Sequence, residues 1–330
     1  MFNLLKKSLA AVTAVASVGL ISSPALAQAD NYPDRPIRLL VGFAPGGATD
    51  IVARLLAAEL EKKLGQPIVV ANRAGAGSNI AAAEAARAAP DGYSLFMGTI
   101  AQTIGPAIYT NLEYDTEKDF VPIIQTMSSP SILVINPSIP ANTVAELIQW
   151  AKDNPGSLTM ASSGSGGSPH MASELLNIRA GIDSLHVPYR GAGPAMNDVL
   201  AGVVSGGFKT ATAAIPQIQA GNIRALAVAA PQRLSQLPDV PTMDEAGVAD
   251  FYVTSWNGLF APAGTPQPII DKLVKATAEV LQQPEIVADF ENRAAVAVGG
   301  TSQEFSDFIK AELAKWREVA KEAKIQLDQP

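Results

Sequence analysis

The stretch Pro36-Ile37-Arg38-Leu39-Leu40-Val41-Gly42-Phe43-Ala44-Pro45-Gly46-Gly47-Ala48-Thr49-Asp50 runs directly into Ile51-Val52-Ala53-Arg54-Leu55-Leu56-Ala57-Ala58-Glu59-Leu60. It reads as a buried strand over residues 37–42, a Pro-Gly-Gly turn, and an amphipathic helix over residues 49–64. The first N–H groups of a helix have no partner inside it, and this turn sets further bare amides beside them. Such a convergence of donors at the positive end of a helix dipole suits an anion. A lone Gly-rich turn between strand and helix is also a common structural connection, in which glycine merely supplies positive φ. The rest of the chain decides between the two readings.

Outward from this stretch, residues 68–71 and 94–98 read as strands and residues 78–88 as an Ala-rich helix, giving βαβαβ order. Residues 120–135 carry two apolar runs split by Ser128-Ser129-Pro130. The pattern then restarts. Helices are predicted over 143–152, 167–179, 194–201 and 213–220, with strands over 158–161, 185–187, 203–209 and 223–229. Residues 231–247 hold three prolines and read as irregular, 251–261 as extended, and 266–282, 284–293 and 302–324 as helices. The fold class is α/β, with a mixed, mostly parallel sheet flanked by helices. The simplest organisation is two lobes joined by crossings near residues 128 and 252. Lobe 1 is then discontinuous, residues 28–128 plus 253–330, and lobe 2 is residues 129–252.

Residues 1–27 have the form of a signal peptide: Lys6 and Lys7, an apolar run from Leu9 to Ile21, then Ala25-Leu26-Ala27 before Gln28. The expected product is a periplasmic protein beginning near Gln28. There is no cysteine, hence no disulfide, no thiolate chemistry and no lipid acceptor at the cleavage site. Cleavage would leave 22 basic against 31 acidic residues, a formal charge of −9. With no Lys/Arg cluster, such a chain is a poor partner for nucleic acid or an anionic membrane. An anionic ligand would have to be held by local dipoles and a few placed donors.

A second Gly/Ser-rich turn matches the first in kind. Ala161-Ser162-Ser163-Gly164-Ser165-Gly166-Gly167-Ser168-Pro169-His170 follows a strand and opens a helix, so its amides and hydroxyls could donate to a carboxylate. Ligands of α/β sheets bind beyond the carboxyl ends of strands, where both turns lie.

Several segments together resemble the Bug family, the extracytoplasmic substrate-binding receptors of tripartite tricarboxylate transporters. In the first half these are Tyr32-Pro33-Asp34-Arg35-Pro36-Ile37, Phe43-Ala44-Pro45-Gly46-Gly47 with Asp50 and Ala53-Arg54, Asn72-Arg73-Ala74-Gly75-Ala76-Gly77, and Asp91-Gly92-Tyr93. In the second half they are residues 162–170, His186-Val187-Pro188-Tyr189-Arg190-Gly191, residues 220–228, Leu237-Pro238-Asp239-Val240-Pro241-Thr242 and residues 256–266. The resemblance spans nearly the whole chain after residue 27. It implies a two-lobe clamshell of the type II-like periplasmic binding-protein kind, closing on a small organic carboxylate. It also implies membrane transporter subunits as partners, no cofactor, no metal and no catalytic residue. The chain is expected to be a monomer. The matching ligand residues are Phe43, Ala44, Pro45, Gly46, Gly47, Ala48 and Thr49 in the first turn, and Ser162, Ser163, Gly164, Ser168 and His170 in the second, with Tyr189 and Thr210 nearby. Asp50 is read as a helix cap, because a carboxylate there would repel a bound one.

One segment departs from the family pattern. Where an acidic, apolar strand ending in Asp-Asn is usual, this chain has Ser205-Gly206-Gly207-Phe208-Lys209-Thr210. Two glycines are expected to make room, and Lys209 to meet a second carboxylate, which favours a dicarboxylate or aromatic carboxylate over an amino acid; a solvated lysine is the alternative. His170 and His186 stand far apart in the sequence and are read as structural. Trp256 and Tyr189 are candidates to line the cleft or simply to pack, and Arg190 to reach a carboxylate. A sensory protein of the same fold is an alternative function. An exported hydrolase or dinucleotide oxidoreductase is disfavoured: no G-x-S-x-G elbow occurs, and the second strand ends in Asn72 rather than an acid for a ribose.

Overall fold

The computed structural model describes residues 31–43, 45–46, 48–189 and 192–328. Packing separates a short unit, Met1–Tyr32, from Pro33–Pro330, and every element below belongs to the second unit. The expected signal sequence lies outside the described residues, as do Ala44, Gly47 and Arg190.

The opening stretch forms strand β1 (Ile37–Val41) and helix α1 (Ala48–Leu64). There follow β2 (Ile68–Asn72), a 3-10 turn (Ala76–Ser78), α2 (Asn79–Ala86) and β3 (Ser94–Thr99). Strand β1 pairs in parallel with β2 on one side and β3 on the other. Because the chain steps outward to β2 and returns beyond β1, the winding reverses past the carboxyl ends of β1 and β3, a switch point of the kind at which α/β sheets bind ligands. Helix α3 (Ala101–Ile108) was not read from the sequence, since Gly105 and Pro106 sit inside it. Proline cannot bond the carbonyl four residues back, and that carbonyl, Gln102 O, instead accepts from Thr116 Oγ1 at 2.7 Å.

Strand β4 (Phe120–Ile135) is one strand of 16 residues rather than two runs. It is followed by α4 (Val144–Asp153), β5 (Thr159–Ser162), α5 (Ser168–Ala180), β6 (Leu185–Pro188) and α6 (Ala192–Leu200). Then come β7 (Gly206–Thr210), α7 (Ala211–Gln219), β8 (Arg224–Val228) and β9 (Thr254–Pro262). The chain closes with α8 (Gln267–Leu281), α9 (Pro284–Asn292), β10 (Val296–Gly299) and α10 (Ser302–Glu322). Strand β10 is a four-residue addition that the sequence reading left out.

The sheet order is β2-β1-β3-β9-β4-β7-β5-β6, with β10 and β8 also on β4. Up to Pro130, β4 pairs antiparallel with β9; from Ser131 it pairs with β7 and β8. Pro130 has no N–H to contribute, so it falls where one set of partners gives way to the next. Ser129, 2% exposed, keeps the strand continuous there, its hydroxyl donating to Ala294 O at 3.0 Å. Beyond the exchange, β5 pairs in parallel with β6 and β7, so the order β6-β5-β7 repeats the arrangement of β2-β1-β3. A second such switch point therefore lies past β5 and β7. Trp256 does not line either one. It is fully buried, edge-on to Phe305 and Phe308 at 5.7 and 5.6 Å between ring centres, because a bare indole face gains most by packing in the core.

Candidate functional site

The first turn is held in shape by Asp50. Its carboxylate is 2% exposed and accepts from Gly46 N–H at 2.8 Å, Arg54 Nε at 2.9 Å and Asn72 Nδ2 at 2.8 Å. The Arg54 hydrogen bond, with those from Gly46 and Asn72, outweighs burial and lowers the carboxyl from 3.8 to about 2. Asp50 is not the helix cap expected from the sequence: it lies inside the first turn of α1 and reaches back to the loop, its described bonds going to Gly46, Arg54 and Asn72. Asn72, at the end of β2, also donates to Phe43 O at 2.9 Å and accepts from Arg54 at 3.0 Å. Gly46 has φ +81, and a Cβ placed on it would meet nothing within 4 Å, so it turns the chain with its outer side open. Gly42 differs: a Cβ there would collide with Ser78, which closes the turn from below.

Thr49, half-buried, accepts from Asn257 Nδ2 at 3.3 Å. Asn257 stands beside Thr99 in the β3–β9 register, and Thr99 Oγ1 accepts from Ala101 N–H at 3.2 Å just ahead of α3. Asn257 thus contacts the first turn through Thr49, with Thr99 beside it. The sequence reading missed both, because α3 was not recognised and β9 is remote in the chain.

In the second turn, Ser162 is 1% exposed and its Oγ lies 2.6 Å from His186 Nε2. The same hydroxyl accepts from Gly164 N–H at 3.2 Å. His170 Nδ1 accepts from Gly166 N–H at 3.0 Å, which leaves its ring proton on Nε2, 3.4 Å from Glu174 Oε1. The two imidazoles stack at 3.7 Å. Burial first, and then the stacked His170, lower His186 from 6.5 to about 4, so it is neutral at ordinary pH. Among the described residues no trio of His, Asp or Glu is grouped for a metal. Both rings shape the loop. Gly166, φ +72, seats the loop against Ile108, whose side chain a Cβ would strike. Helix α5 begins after Gly167 without a side-chain cap, with Pro169 in its first turn. Ser163, Gly164 and Ser168 are half-buried around that end.

Tyr189 belongs to the same turn, since its N–H donates to Ser162 O at 3.0 Å. Its hydroxyl is committed to Asp198 at 2.6 Å, an acceptor that raises the phenol to about 12. Thr210 precedes α7 without a side-chain cap bond. Lys209 is 5% exposed, with Nζ 3.3 Å from Ala161 O. The glycines before it do not make room: a Cβ on Gly206 would meet Val134 O, and one on Gly207 would stand 2.5 Å from Ala161 O. They allow close approach of neighbouring backbones instead. Among the described residues no hydrogen bond joins the two turns. Two recesses, of about 400 and about 270 Å³, lie along α3 and α10 and contain none of the predicted residues.

The profile of the tripartite tricarboxylate transporter family receptor matches residues 52–325. The chain belongs to this family. The receptor is similar to protein BugT of Bordetella pertussis, 37% identical over 301 residues, covering 91% of this chain and 92% of BugT. Among solved structures it is similar to R. palustris Rpa4515 with adipate, at 35% identity and TM-score 0.80, covering 89% of this chain and 99% of that one. The periplasmic binding protein BugD is likewise 35% identical, TM-score 0.77, with 89% and 99% covered. The receptor accordingly has the two-lobe clamshell fold of these solute-binding proteins and is not an enzyme. The profile match begins after the first turn, so that turn stands on its own geometry and on the longer similarity to BugT. No helix among the described residues is long and apolar enough to cross a membrane.

Proposed function

We propose that this receptor is exported by residues 1–27, captures a small organic carboxylate between its lobes in the periplasm, and presents it to membrane subunits of a tripartite tricarboxylate-type transporter. Lobe 1 is residues 28–128 with 253–330, lobe 2 is residues 129–252, and β4 and β9 cross between them. The observation that carries this reading is the repeated strand order, β2-β1-β3 and β6-β5-β7, with a Gly-rich turn leaving the central strand of each. Each turn ends at a helix amino terminus where α/β sheets bind ligands, so the ligand's donors are N–H groups at the helix starts, since those of Gly46, Gly164 and Gly166 are already bonded within the turns. Residues 43–49 grip the carboxylate from one side, and residues 162–170 with Tyr189 and Thr210 from the other.

Prior organisation supports the assignment. Asp50, Asn72, His170 and His186 already hold the loops through their own hydrogen bonds, so binding need not order them. The bound adipate of Rpa4515 fits a dicarboxylate as the favoured class. A thermal-shift screen of the protein without residues 1–27 against mono-, di- and tricarboxylates, aromatic acids and amino acids tests the reading. A ligand at roughly 100 times its Kd stabilises by about 2.7 kcal/mol, enough to move the melting point by several degrees. A flat response to every carboxylate refutes it.

A further inference from the structure

We infer that Lys209 supplies the positive charge for a second carboxylate of the ligand, so that this receptor selects dianions over monoanions and over α-amino acids. The inference rests on the carboxylate capture proposed above.

Its position comes from the strand geometry. β5 and β7 pair at Met160 and Gly206, and the backbones stay close at the next position, where a Cβ on Gly207 would stand 2.5 Å from Ala161 O. Lys209 lies two residues further along β7, and its side chain reaches back to Ala161 O. Ala161 immediately precedes Ser162, the first residue of the second turn. The ammonium therefore stands beside the start of the second turn, the loop proposed to take part in holding the ligand.

Its surroundings leave the charge uncompensated. An ammonium has three N–H donors and this one has a single carbonyl acceptor, at 3.3 Å. Among the described residues no carboxylate forms an ion pair with it, although it is 5% exposed. Its partner across the β4 register is apolar, Ile132, itself fully buried. A buried charge without a counter-ion is costly to keep, and a carbonyl dipole only partly offsets it. Burial accordingly lowers the lysine to about 8. An arriving carboxylate would supply both the missing acceptor and the missing charge. The ammonium of an α-amino acid would instead meet like charge.

The test compares wild type with Lys209→Met and Lys209→Gln by calorimetric titration with matched straight-chain pairs: succinate and butyrate, glutarate and pentanoate, adipate and hexanoate. Both variants should weaken the preferred dicarboxylate by roughly tenfold to a hundredfold and change its monocarboxylate partner by less than about twofold. Lys209→Met should melt no lower than wild type without ligand, since it removes an uncompensated buried charge. Equal loss for both members of a pair, or no loss for either, overturns the assignment of Lys209 while leaving carboxylate capture standing. If wild type binds no member of any pair, or binds each monocarboxylate as tightly as its dicarboxylate partner, the inference is overturned, whereas carboxylate capture falls only if the thermal-shift screen is flat as well.

Discussion

Replacing Asp50 with alanine removes one acceptor from three donors at once and leaves the Gly-rich turn without its anchor. The magnitude follows from exposure. Arg54 is 53% exposed and can turn to water, so its share is small. The bonds from Gly46 N–H and Asn72 Nδ2 run to a carboxylate that is 2% exposed, and hydrogen bonds to charged groups are worth about 1.5–3 kcal/mol. A total near 3–6 kcal/mol lowers the melting point by roughly 6–12 °C at this chain size. Affinity for the carboxylate should fall at least about tenfold, because the loop must then be ordered on binding. Asp50 has its folded value lowered from 3.8 to about 2, so its contribution is present above 3.8 and is lost as pH falls toward 2. The gap between wild type and Asp50→Ala should therefore be constant from neutral pH down to about 5 and close only in strong acid. Urea unfolding at several pH values, with calorimetric titration of ligand at neutral pH, measures both effects. Wild-type stability with wild-type affinity in the variant would refute the role given to this carboxylate.

Two further outcomes bear on the loops. Gly46→Val places a β-branched residue at φ +81, which costs about 1–2 kcal/mol, yet its side chain enters open space, so circular dichroism should stay native while ligand binding is lost; retained affinity would make the turn merely structural. His186, lowered from 6.5 to about 4, binds its proton more readily in the unfolded chain, so stability is full above 6.5 and declines as pH drops from 6.5 to 4. Discounted for partial exposure, the loss is about 1–2 kcal/mol, and His186→Gln should flatten that part of the urea-unfolding profile; an unchanged slope would show that the ring is not the titrating group.

The turns themselves were legible because a strand, a Pro-Gly-Gly or Ser/Gly run and an amphipathic helix are local patterns. What held them was not. Asn72 reaches Phe43 and Asp50 only because β2 lies beside β1, and Asn257 reaches Thr49 only because β9 lies beside β3. Neighbouring strands distant in sequence leave no periodic trace. Helix α3 escaped notice because Pro106 and Gly105 argue against helix, and their cost is offset by Thr116, a residue outside the helix. Gly206 and Gly207 misled in another way. Absence of a side chain reads as space in a sequence, whereas here the carbonyls of Val134 and Ala161 occupy it. Lys209 was placed correctly at a strand end, but its burial became evident only with β4 and β5 on either side.

Small-angle X-ray scattering of the protein without residues 1–27, alone and saturated with the best carboxylate from the thermal screen, tests the central claim most directly. The two gripping turns leave different halves of the sheet, so one ligand can engage both only if the lobes approach. The radius of gyration should fall on saturation, and the carboxylate should be recovered chemically unchanged. An unaltered radius at full occupancy, or conversion of the bound compound, would contradict capture by lobe closure.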